Sequence, residues 1–436
     1  MNELGLYVHI PFCAARCPYC DFATAPASSA LRARYLDALE RELAREGSAL
    51  GRPRVRTLYV GGGTPSLLEP GEIHALAAAI RASFAFAPLE ATVEANPATL
   101  DRARLRAWRE LGMTRLSLGA QSFEPAGLRA LGRTHQPSDV APAVAAARAE
   151  GMDVSLDLIF GWPGQTEAHW SADLGAALAL EPDHLSLYPL ELRLDDPEEA
   201  VANWPGGGWP VLERWRSAAA ATQPDDDAIA RRYELAERLL ARAGFRHYEI
   251  ANWARRGKRS LHNLGYWRND EWLGVGAGAH SHLAGLRSRN PASLLEYIAR
   301  IDAASGRLAD GGADAAVDGA MLALRLDEGL DLVRYGGRFG IGARDRVIAA
   351  LRSLDDARLL RWSYESPGGT RHSPGGNRDS HGGTRESPEE TRHSPGRTPD
   401  SEGGTRPPSR GIPTVVRLTP RGRLLASEVF VRLLPD

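Results

Sequence analysis

Short apolar runs alternate with amphipathic stretches through the first half of the chain. In the amphipathic stretches the apolar residues recur about every four positions, as Leu31, Tyr35 and Leu39 do, and this period predicts helices. The predicted strands span residues 6–10, 55–60, 91–95, 115–119, 153–160 and 184–190. The predicted helices span residues 31–46, 71–84, 101–111, 125–131, 138–150 and 167–180.

Six strand–helix units in succession predict a parallel sheet, because each crossover must return the chain in the same direction. Six units are too few for the eightfold barrel that such repeats can close. The pattern leaves two α/β architectures open, a partial (β/α)6 barrel and a doubly wound sheet. Periodicity alone cannot separate them.

Polar and glycine residues concentrate at the ends of the predicted strands, where folds of this class bind ligands. These residues are Gly62, Gly63 and Thr64 after the second strand, Glu94 in the third, Gln121 after the fourth and Asp157 in the fifth. Consecutive glycines allow a ligand to approach the backbone closely. Tight turns and solvated strand-end charges are the alternative interpretations of the same residues.

The only three cysteines of the chain lie just after the first predicted strand. Cys13, Cys17 and Cys20 have the spacing C-x3-C-x2-C, so their thiolates can converge on one metal centre. Structural zinc usually has four protein ligands, and a cubane iron–sulfur cluster normally has four Cys. Three thiolates therefore favour a cluster whose fourth iron accepts a small molecule. A zinc site completed by a His, or ordinary buried cysteines, are the other interpretations.

The second half of the chain is less regular. Proline and glycine within residues 195–226 predict a long surface loop around a short helix at 211–221. Further on, the pattern predicts a helix at 227–243, a strand at 245–250, helical segments within 314–361, a strand at 414–419 and a closing helix at 420–434. The last three elements favour a winged-helix-like domain.

A repeat with a period of seven residues begins at Ser366 and continues to 406, within a predicted insert at 366–411. It contains no apolar aliphatic or aromatic residue, so it cannot form a coiled coil. Glycine, proline, serine and balanced charges bury too little surface to offset the entropy of ordering. The insert is therefore predicted to be disordered, in the wing loop of the last domain.

Aromatic and histidine residues cluster between residues 262 and 282. His262, Tyr266 and Trp267 precede a glycine-rich segment, 274–278, that lacks a clean G-x-G-x-x-G pattern. A flat aromatic site with an imidazole suits a large planar ligand such as heme. A tryptophan and tyrosine core patch with hydrogen-bonded histidines is the alternative.

Length, charge and cysteine content limit what kind of protein this can be. A length of 436 residues predicts two or three domains, and a net charge of −2 gives no electrostatic footprint for nucleic acid. The few, clustered cysteines indicate a reducing compartment, and no signal peptide or apolar run of ~18 residues is visible. We expect a cytoplasmic protein without a transmembrane segment. Peripheral membrane contact and a homodimer stay open.

Seven segments, taken in order, resemble the radical S-adenosylmethionine (SAM) proteins. They are Tyr7–Phe22, Gly61–Ser66, Glu94–Pro97, Gly119–Phe123, Leu131–His135, Asp157–Gly164 and His262–Trp267. The chain is most similar to the oxygen-independent coproporphyrinogen oxidase branch, and within it to the HemW-type heme chaperones. True oxidases of this branch have a fourth Cys two residues after the third, where this chain has Phe22. That difference favours the chaperones and leaves a coproporphyrinogen III oxidase, or another radical SAM enzyme of porphyrin metabolism, as the alternative.

The resemblance implies a partial (β/α)6 radical SAM barrel, a smaller mixed region and a winged-helix-like domain. The corresponding units are 1–195, 196–312 and 313–436. It also implies a [4Fe–4S] cluster on Cys13, Cys17 and Cys20, with SAM chelating the open iron. By position, the SAM contacts are Tyr7, Tyr19, Gly62, Gly63, Thr64, Glu94, Gln121, Arg133 and Asp157.

The resemblance also implies that the protein binds heme as cargo. The His-Asn-x-x-Tyr-Trp segment is associated with heme binding in the group that the chain resembles. The implied heme residues are His262, Asn263, Tyr266 and Trp267. The implied partners are heme-requiring proteins, respiratory ones among them. No catalytic residue is assigned, and whether SAM is cleaved stays open.

Overall fold

The structure, a computed structural model, describes residues 3–26, 28–191, 204, 209–310, 314–354, 357–364 and 413–434, of which 209–214 as backbone only. The predicted disordered insert at 366–411 and, within the predicted loop at 195–226, residues 195–203 and 205–208 lie outside the described residues. The strands are β1 (Glu3–Ile10), β2 (Phe12–Cys13), β3 (Ala25–Pro26), β4 (Arg54–Gly62), β5 (Ala85–Ala95), β6 (Arg115–Gln121), β7 (Asp153–Phe160), β8 (His184–Pro189), β9 (Arg246–Glu249), β10 (Asn252–Ala254), β11 (Trp272–Val275), β12 (His280–Leu283), β13 (Leu286–Arg289), β14 (Leu308–Ala309), β15 (Leu330–Asp331), β16 (Leu360–Tyr364) and β17 (Pro413–Leu418).

The helices alternate with the strands in the first half and dominate the end of the chain. They are α1 (Ser29–Ala49), α2 (Pro70–Ser83), α3 (Arg102–Leu111), α4 (Pro125–Ala130), α5 (Val140–Ala149), α6 (Glu167–Ala179), α7 (Trp209–Ala220), α8 (Asp226–Arg242), α9 (Leu261–Trp267), α10 (Leu294–Asp302), α11 (Ala315–Arg325), α12 (Leu332–Phe339), α13 (Ile341–Arg352), α14 (Pro420–Leu424) and α15 (Ala426–Val431). Short 3-10 helices occupy Pro65–Leu67, Pro97–Thr99 and Pro137–Asp139.

The six predicted strands, β1 and β4 to β8, lie side by side in chain order and pair in parallel. The α/β prediction is therefore confirmed. The main sheet continues beyond them, because β11 pairs in parallel with β1 and β10 pairs in antiparallel with β8. The sequence pattern did not predict β11, since its short run Trp-Leu-Gly-Val has neither the length nor the alternation of a clear strand.

One face of strands β5 to β8 is apolar and the other is polar. In β6, Leu116 and Leu118 are fully buried against the helices, whereas Arg115 and Ser117 face a cavity inside the curved sheet. Parallel strands are usually apolar on both faces, and the lumen of a closed barrel is usually filled with branched side chains. A polar lumen is instead suited to a ligand.

The main core is continuous from Leu4 to Ile301, so residues on both sides of the predicted boundary at 195 share it. Glu42 of α1 fixes the later segment from within this core. Its buried carboxylate accepts hydrogen bonds from the Gly276 backbone N–H (2.8 Å), the Tyr297 hydroxyl (2.8 Å) and the Arg307 guanidinium (2.9 Å). These bonds hold the segment that contains β11 against α1.

A second core lies in the C-terminal part of the chain. Helices α11, α12 and α13 pack there on a small antiparallel sheet of order β15-β17-β16. Three helices with a small sheet are the parts that a winged-helix-like unit requires. The predicted single closing helix at 420–434 is wrong, because Leu425, at φ −108° and ψ 33°, separates α14 from α15. No helix in the described ranges is both long and apolar enough to cross a bilayer.

Candidate functional site

A cavity of about 460 Å³ opens at the carboxyl ends of β4 to β8 and extends down into the lumen of the curved sheet. The loop between β1 and α1, which contains the three cysteines, forms one wall. Eleven of the twelve residues predicted for the cluster and SAM line it: Cys13, Cys17, Tyr19, Cys20, Gly62, Gly63, Thr64, Glu94, Gln121, Arg133 and Asp157. Tyr7 is not among them; its ring stacks on that of Tyr59 at 6.2 Å between centroids.

A hydrogen bond from β1 stabilises the cysteine loop: His9 Nε2 lies 2.8 Å from the Ala23 carbonyl oxygen. Within the loop, Cys13 Sγ lies 3.4 Å from the Thr64 hydroxyl, and Arg133 Nη1 donates to Cys17 Sγ at 3.6 Å. Burial raises the pKa of Cys13 to about 11 and that of Cys20 to about 12. The thiolates therefore require a positive partner, such as a metal centre, to form at neutral pH.

Glu94 lines the same cavity as the cysteines. Its carboxylate accepts hydrogen bonds from the Tyr59 hydroxyl (2.8 Å) and from the Gly62 backbone N–H (2.9 Å). Gly62 has a φ of +111°, and a Cβ there would lie 2.4 Å from the His9 ring, so only glycine fits. Burial raises the pKa of Glu94 to about 7, so a cationic or hydroxyl-bearing ligand would stabilise its ionised form.

Asp157 occupies the same level of the lumen on β7. The Ser117 hydroxyl lies 3.0 Å and 3.2 Å from its two carboxylate oxygens. Burial raises the pKa of Asp157 to about 6, although hydrogen bonds from Ser186 and Ser117 oppose this effect. Two carboxyl groups with raised pKa values in one cavity indicate a functional site.

Gln121 and Arg133 complete the rim. Gln121 has a left-handed φ of +61°, a strained conformation that is concentrated at functional sites. Arg133 donates to the Gly119 carbonyl at 3.0 Å and to Cys17, so its guanidinium joins the end of β6 to the cysteine loop. Both side chains face the cavity from the end of β6 and the loop after α4.

The floor of the cavity contains residues that the sequence analysis did not single out. Thr92, Arg115, Ser155 and His184 line the lumen below the level of Glu94 and Asp157. Their signal in the sequence is the strict alternation of polar and apolar residues along β5 to β8. Apolar content alone predicts these segments to be strands without distinguishing their two faces.

The segment from His262 to Trp267 lies in α9, and its side chains do not share one site. Asn263 lines the large cavity. His262 and Tyr266 line a second cavity of about 290 Å³, next to Gly5 at the start of β1 and Trp272 at the start of β11. Trp267 lines neither cavity; the Arg325 guanidinium lies 4.3 Å above its ring.

His262 is 2 % exposed, and both of its ring nitrogens are engaged within the chain. Nδ1 lies 2.9 Å from the Thr57 hydroxyl and Nε2 lies 2.8 Å from the Tyr266 hydroxyl. Burial lowers the pKa of His262 to about 3, so the ring is neutral at ordinary pH. In this conformation neither nitrogen is available to a heme iron.

Glu90 fixes the start of α9. Its carboxylate accepts from the Ser260 hydroxyl (3.2 Å) and from the backbone N–H groups of Leu261 (3.0 Å) and His262 (3.2 Å). The Arg115 guanidinium lies 3.1 Å from the same carboxylate, and both side chains are buried. A carboxylate at the first turn of a helix satisfies N–H groups that have no partner within the helix.

Comparisons with known proteins place this geometry in a family. The family model of the Radical SAM superfamily matches residues 7–175. A protein of Mycobacterium tuberculosis (strain CDC 1551 / Oshkosh) named heme chaperone HemW is 38% identical over 359 residues, 80% of this chain and 87% of that protein. The chain belongs to the HemW family. HemW of Bacillus subtilis (strain 168) is 36% identical over 295 residues, 67% of this chain and 74% of that protein.

A solved structure supports the fold independently of the HemW sequences. Coproporphyrinogen III oxidase (HemN) from Escherichia coli matches with a TM-score of 0.73, covering 99% of this chain and 90% of that chain. At 21% identity this likeness shows the fold alone. It confirms the radical SAM architecture that the sequence predicted.

Membership of the HemW family and of the radical SAM superfamily implies a [4Fe–4S] cluster and SAM. The donor chemistry of the cavity fits both groups, since three thiols, a guanidinium and two carboxyl groups line it. Among the described residues, no three His, Cys, Asp or Glu side chains lie close enough together to hold a single metal ion.

Phe22 lies two residues after Cys20 in the sequence. Its side chain lines the large cavity and is 56% exposed. In the HemW-family chain this position therefore presents an apolar ring, not a thiol, to the cavity.

Proposed function

We propose that the chain is a heme-binding chaperone built on a cluster- and SAM-binding barrel. The observation that carries this proposal is the identity of 38% with a heme chaperone HemW over 80% of the chain. Phe22 supports it, because the chain has no fourth cysteine at that position. HemW proteins are named for heme, and this chain shares most of their length.

In this proposal Cys13, Cys17 and Cys20 hold the cluster through their sulfur atoms. Thr64 and Arg133 lie within hydrogen-bonding distance of two of these sulfurs and would lower the cost of their negative charge. When bound, the cluster and SAM would supply one-electron chemistry. The chain itself binds, orients and shields them from water.

The remaining predicted SAM residues would contact SAM in different ways. Glu94 and Asp157 accept hydrogen bonds from amino or hydroxyl groups, while Gly62 and Gly63 let the ligand approach the backbone. Tyr19, Gln121 and Arg133 face the same space from the rim. Tyr7 does not line the cavity; its ring packs against Tyr59, which does.

We propose α9 as the element that links this cavity to heme. Asn263 faces the large cavity, and His262 and Tyr266 stabilise the opposite end of the lumen. Trp267 supports α9 by its contact with Arg325. The proposed acceptors are heme-requiring proteins, including respiratory ones.

The proposal is tested by titrating heme into anaerobically reconstituted, cluster-loaded protein. Saturable binding at one heme per chain, followed by transfer to an apo heme protein, is the expected result. Asn263→Ala should weaken binding without unfolding the chain, with His262→Ala checked for its own stability. Weak, non-saturating binding to the wild type would refute the heme function.

The alternative is the oxidative decarboxylation of coproporphyrinogen III. Incubation of reduced, cluster-loaded protein with SAM and this substrate separates the two functions. Formation of protoporphyrinogen together with deoxyadenosine would replace the chaperone with an oxidase. We expect neither product.

A further inference from the structure

Asp173 is a buried acidic residue that the proposed function does not use. It lies in the middle of α6 and its side chain is fully buried. It lines neither of the two cavities described above. A buried carboxylate is costly unless several hydrogen-bond donors surround it. The donors around Asp173 therefore indicate what this residue holds in place.

The donors to Asp173 come from the turn that follows β6. The Ser122 hydroxyl lies 2.9 Å and 3.0 Å from the two carboxylate oxygens, and the Phe123 backbone N–H donates to one of them at 2.5 Å. Burial raises the pKa of Asp173 to about 6, and these hydrogen bonds oppose the rise, so the carboxylate is ionised at neutral pH. Hydrogen bonds to an ionised group are roughly twice as strong as neutral ones. Asp173 therefore holds the turn firmly.

The turn that Asp173 holds is strained at Gln121. Gln121 has a φ of +61°, and the Ser122 N–H donates back to the Ala120 carbonyl at 2.7 Å, which closes a tight turn. The pairing of β6 with β7 shifts register between Leu118 and Gln121. A left-handed conformation of a residue other than glycine persists only where the surroundings enforce it. Asp173 contributes to this enforcement, because it bonds the two residues that follow Gln121.

The space around the Ser122 hydroxyl is closed, so that water does not replace Asp173 there. Ser122 is fully buried, and its oxygen also accepts from the Glu124 backbone N–H at 3.1 Å. A Cβ at Gly127 of α4 would lie 2.5 Å from this oxygen and 2.9 Å from the Trp162 ring. The hydroxyl thus joins the start of α4 to the carboxylate of Asp173.

The same turn determines where the Gln121 side chain lies. Its amide packs over Gly119, where an added Cβ would be 2.8 Å from Gln121 Nε2. Gln121 lines the large cavity from this position. Strand irregularities that redirect a side chain are frequent next to active sites. A change in the turn would therefore move the Gln121 amide relative to a ligand in the cavity.

We propose that Asp173 is a positioning residue for SAM, which holds the turn after β6 in the conformation in which Gln121 contacts the ligand. This role rests on the SAM contact assigned to Gln121 in the proposed function. If Asp173 served the fold alone, its removal would lower stability and leave the SAM affinity of the folded chain unchanged. The two roles therefore differ in a measurable way.

The test measures SAM affinity on cluster-loaded protein, with iron content checked for each variant, and urea unfolding on cofactor-free protein. Asp173→Ala removes the acceptor, whereas Asp173→Asn keeps an oxygen acceptor of nearly the same shape. Leu174→Ala is the matched control. Leu174 is the next residue of α6 and is fully buried in the main core, so its truncation lowers stability without removing a hydrogen bond to the turn. Gln121→Ala reports the contribution of the amide itself.

Asp173→Ala should weaken SAM binding about tenfold, close to the loss in Gln121→Ala, as expected for one lost hydrogen bond. Asp173→Asn should lose no more than about threefold, since the acceptor remains. Leu174→Ala should keep the wild-type affinity in spite of its lower stability. In the Gln121→Ala background, Asp173→Ala should cause no further loss, because no amide is left to position.

Wild-type affinity in Asp173→Ala, an equal loss in Leu174→Ala, or an undiminished effect of Asp173→Ala in the Gln121→Ala background would overturn the positioning role. Ser122→Ala removes the other half of the contact and serves if Asp173→Ala does not fold. It should weaken SAM binding about threefold, and an unchanged affinity would again overturn the role.

Two other outcomes concern the proposed function. Wild-type affinity in Gln121→Ala would refute the SAM contact assigned to Gln121, and the positioning role with it. Failure of cluster-loaded wild type to bind SAM saturably would instead contradict the cluster- and SAM-binding barrel of the proposed function.

Discussion

The two ends of the lumen contain equally conspicuous polar residues but use them differently. At the carboxyl end, the cysteines, Gln121 and Asp157 line the large cavity. At the amino end, both nitrogens of His262 are bonded to Thr57 and Tyr266. A motif residue can therefore act on a ligand or on the fold, and the partners of its polar atoms decide which.

The largest expected effect concerns the carboxyl end. Cys17→Ser should remove nearly all iron and acid-labile sulfide from the reconstituted protein, because two thiolates cannot retain the cluster. Iron and sulfide analysis measures this. Ala15→Ser, an exposed change in the same loop, is the matched control and should keep full iron content.

The second prediction concerns the amino end. His262→Ala should lower the free energy of unfolding by about 3 kcal/mol, because it leaves a cavity and two hydroxyl groups without their partner. Urea denaturation measures the change. Its chain neighbour Asn263→Ala should cost less than about 0.5 kcal/mol. Equal stability losses in the two variants would contradict the division of α9 between fold and ligand.

The third prediction compares two buried threonines on neighbouring strands. Thr57→Val should cost about 1–2 kcal/mol, since His262 Nδ1 loses its partner. Thr92→Val should be close to neutral, since its hydroxyl has no partner. Thermal or urea unfolding distinguishes them. A clear destabilisation by Thr92→Val would mean that its hydroxyl is already satisfied.

That the strand-end residues share one cavity could be predicted from the sequence, because the evidence for it is local. Short motifs at strand ends supply the lining residues, and parallel strands bring their carboxyl ends to one edge whatever the details of packing. The amino end could not be predicted in this way. The contact between Thr57 and His262 joins residues 205 positions apart, and it depends on β11 pairing with β1.

The floor of the lumen lies between these cases. Alternation along β5 to β8 marks Thr92, Arg115 and Ser155 as one face of the sheet. It does not distinguish the satisfied Ser155 from the unsatisfied Thr92, since that depends on His184 across the strand pair. Only the packed structure separates a hydroxyl that has a partner from one that has none.

The smallest effect is a dependence on pH that differs in sign between the two ends. Burial raises the pKa of Glu94 from 4.5 to about 7, so the folded chain binds more protons than the unfolded chain and stability falls as pH rises through this range. Burial lowers the pKa of His262 from 6.5 to about 3, so its contribution is lost as pH falls. The two slopes oppose each other between pH 4.5 and 6.5.

Glu94→Gln removes the opposing contribution, so the free energy of unfolding should rise more steeply with pH across this window. The extra rise between the two ends of the window should be about 1 kcal/mol, because water in the open cavity reduces the effect of burial. Urea denaturation of the cofactor-free protein at several pH values measures the slope. Glu40→Gln removes a carboxylate from the exposed face of α1 and is the matched control. An unchanged slope in Glu94→Gln would mean that the carboxyl end is as solvated as the surface. In that case the difference between the two ends would lie in hydrogen bonding alone, not in burial.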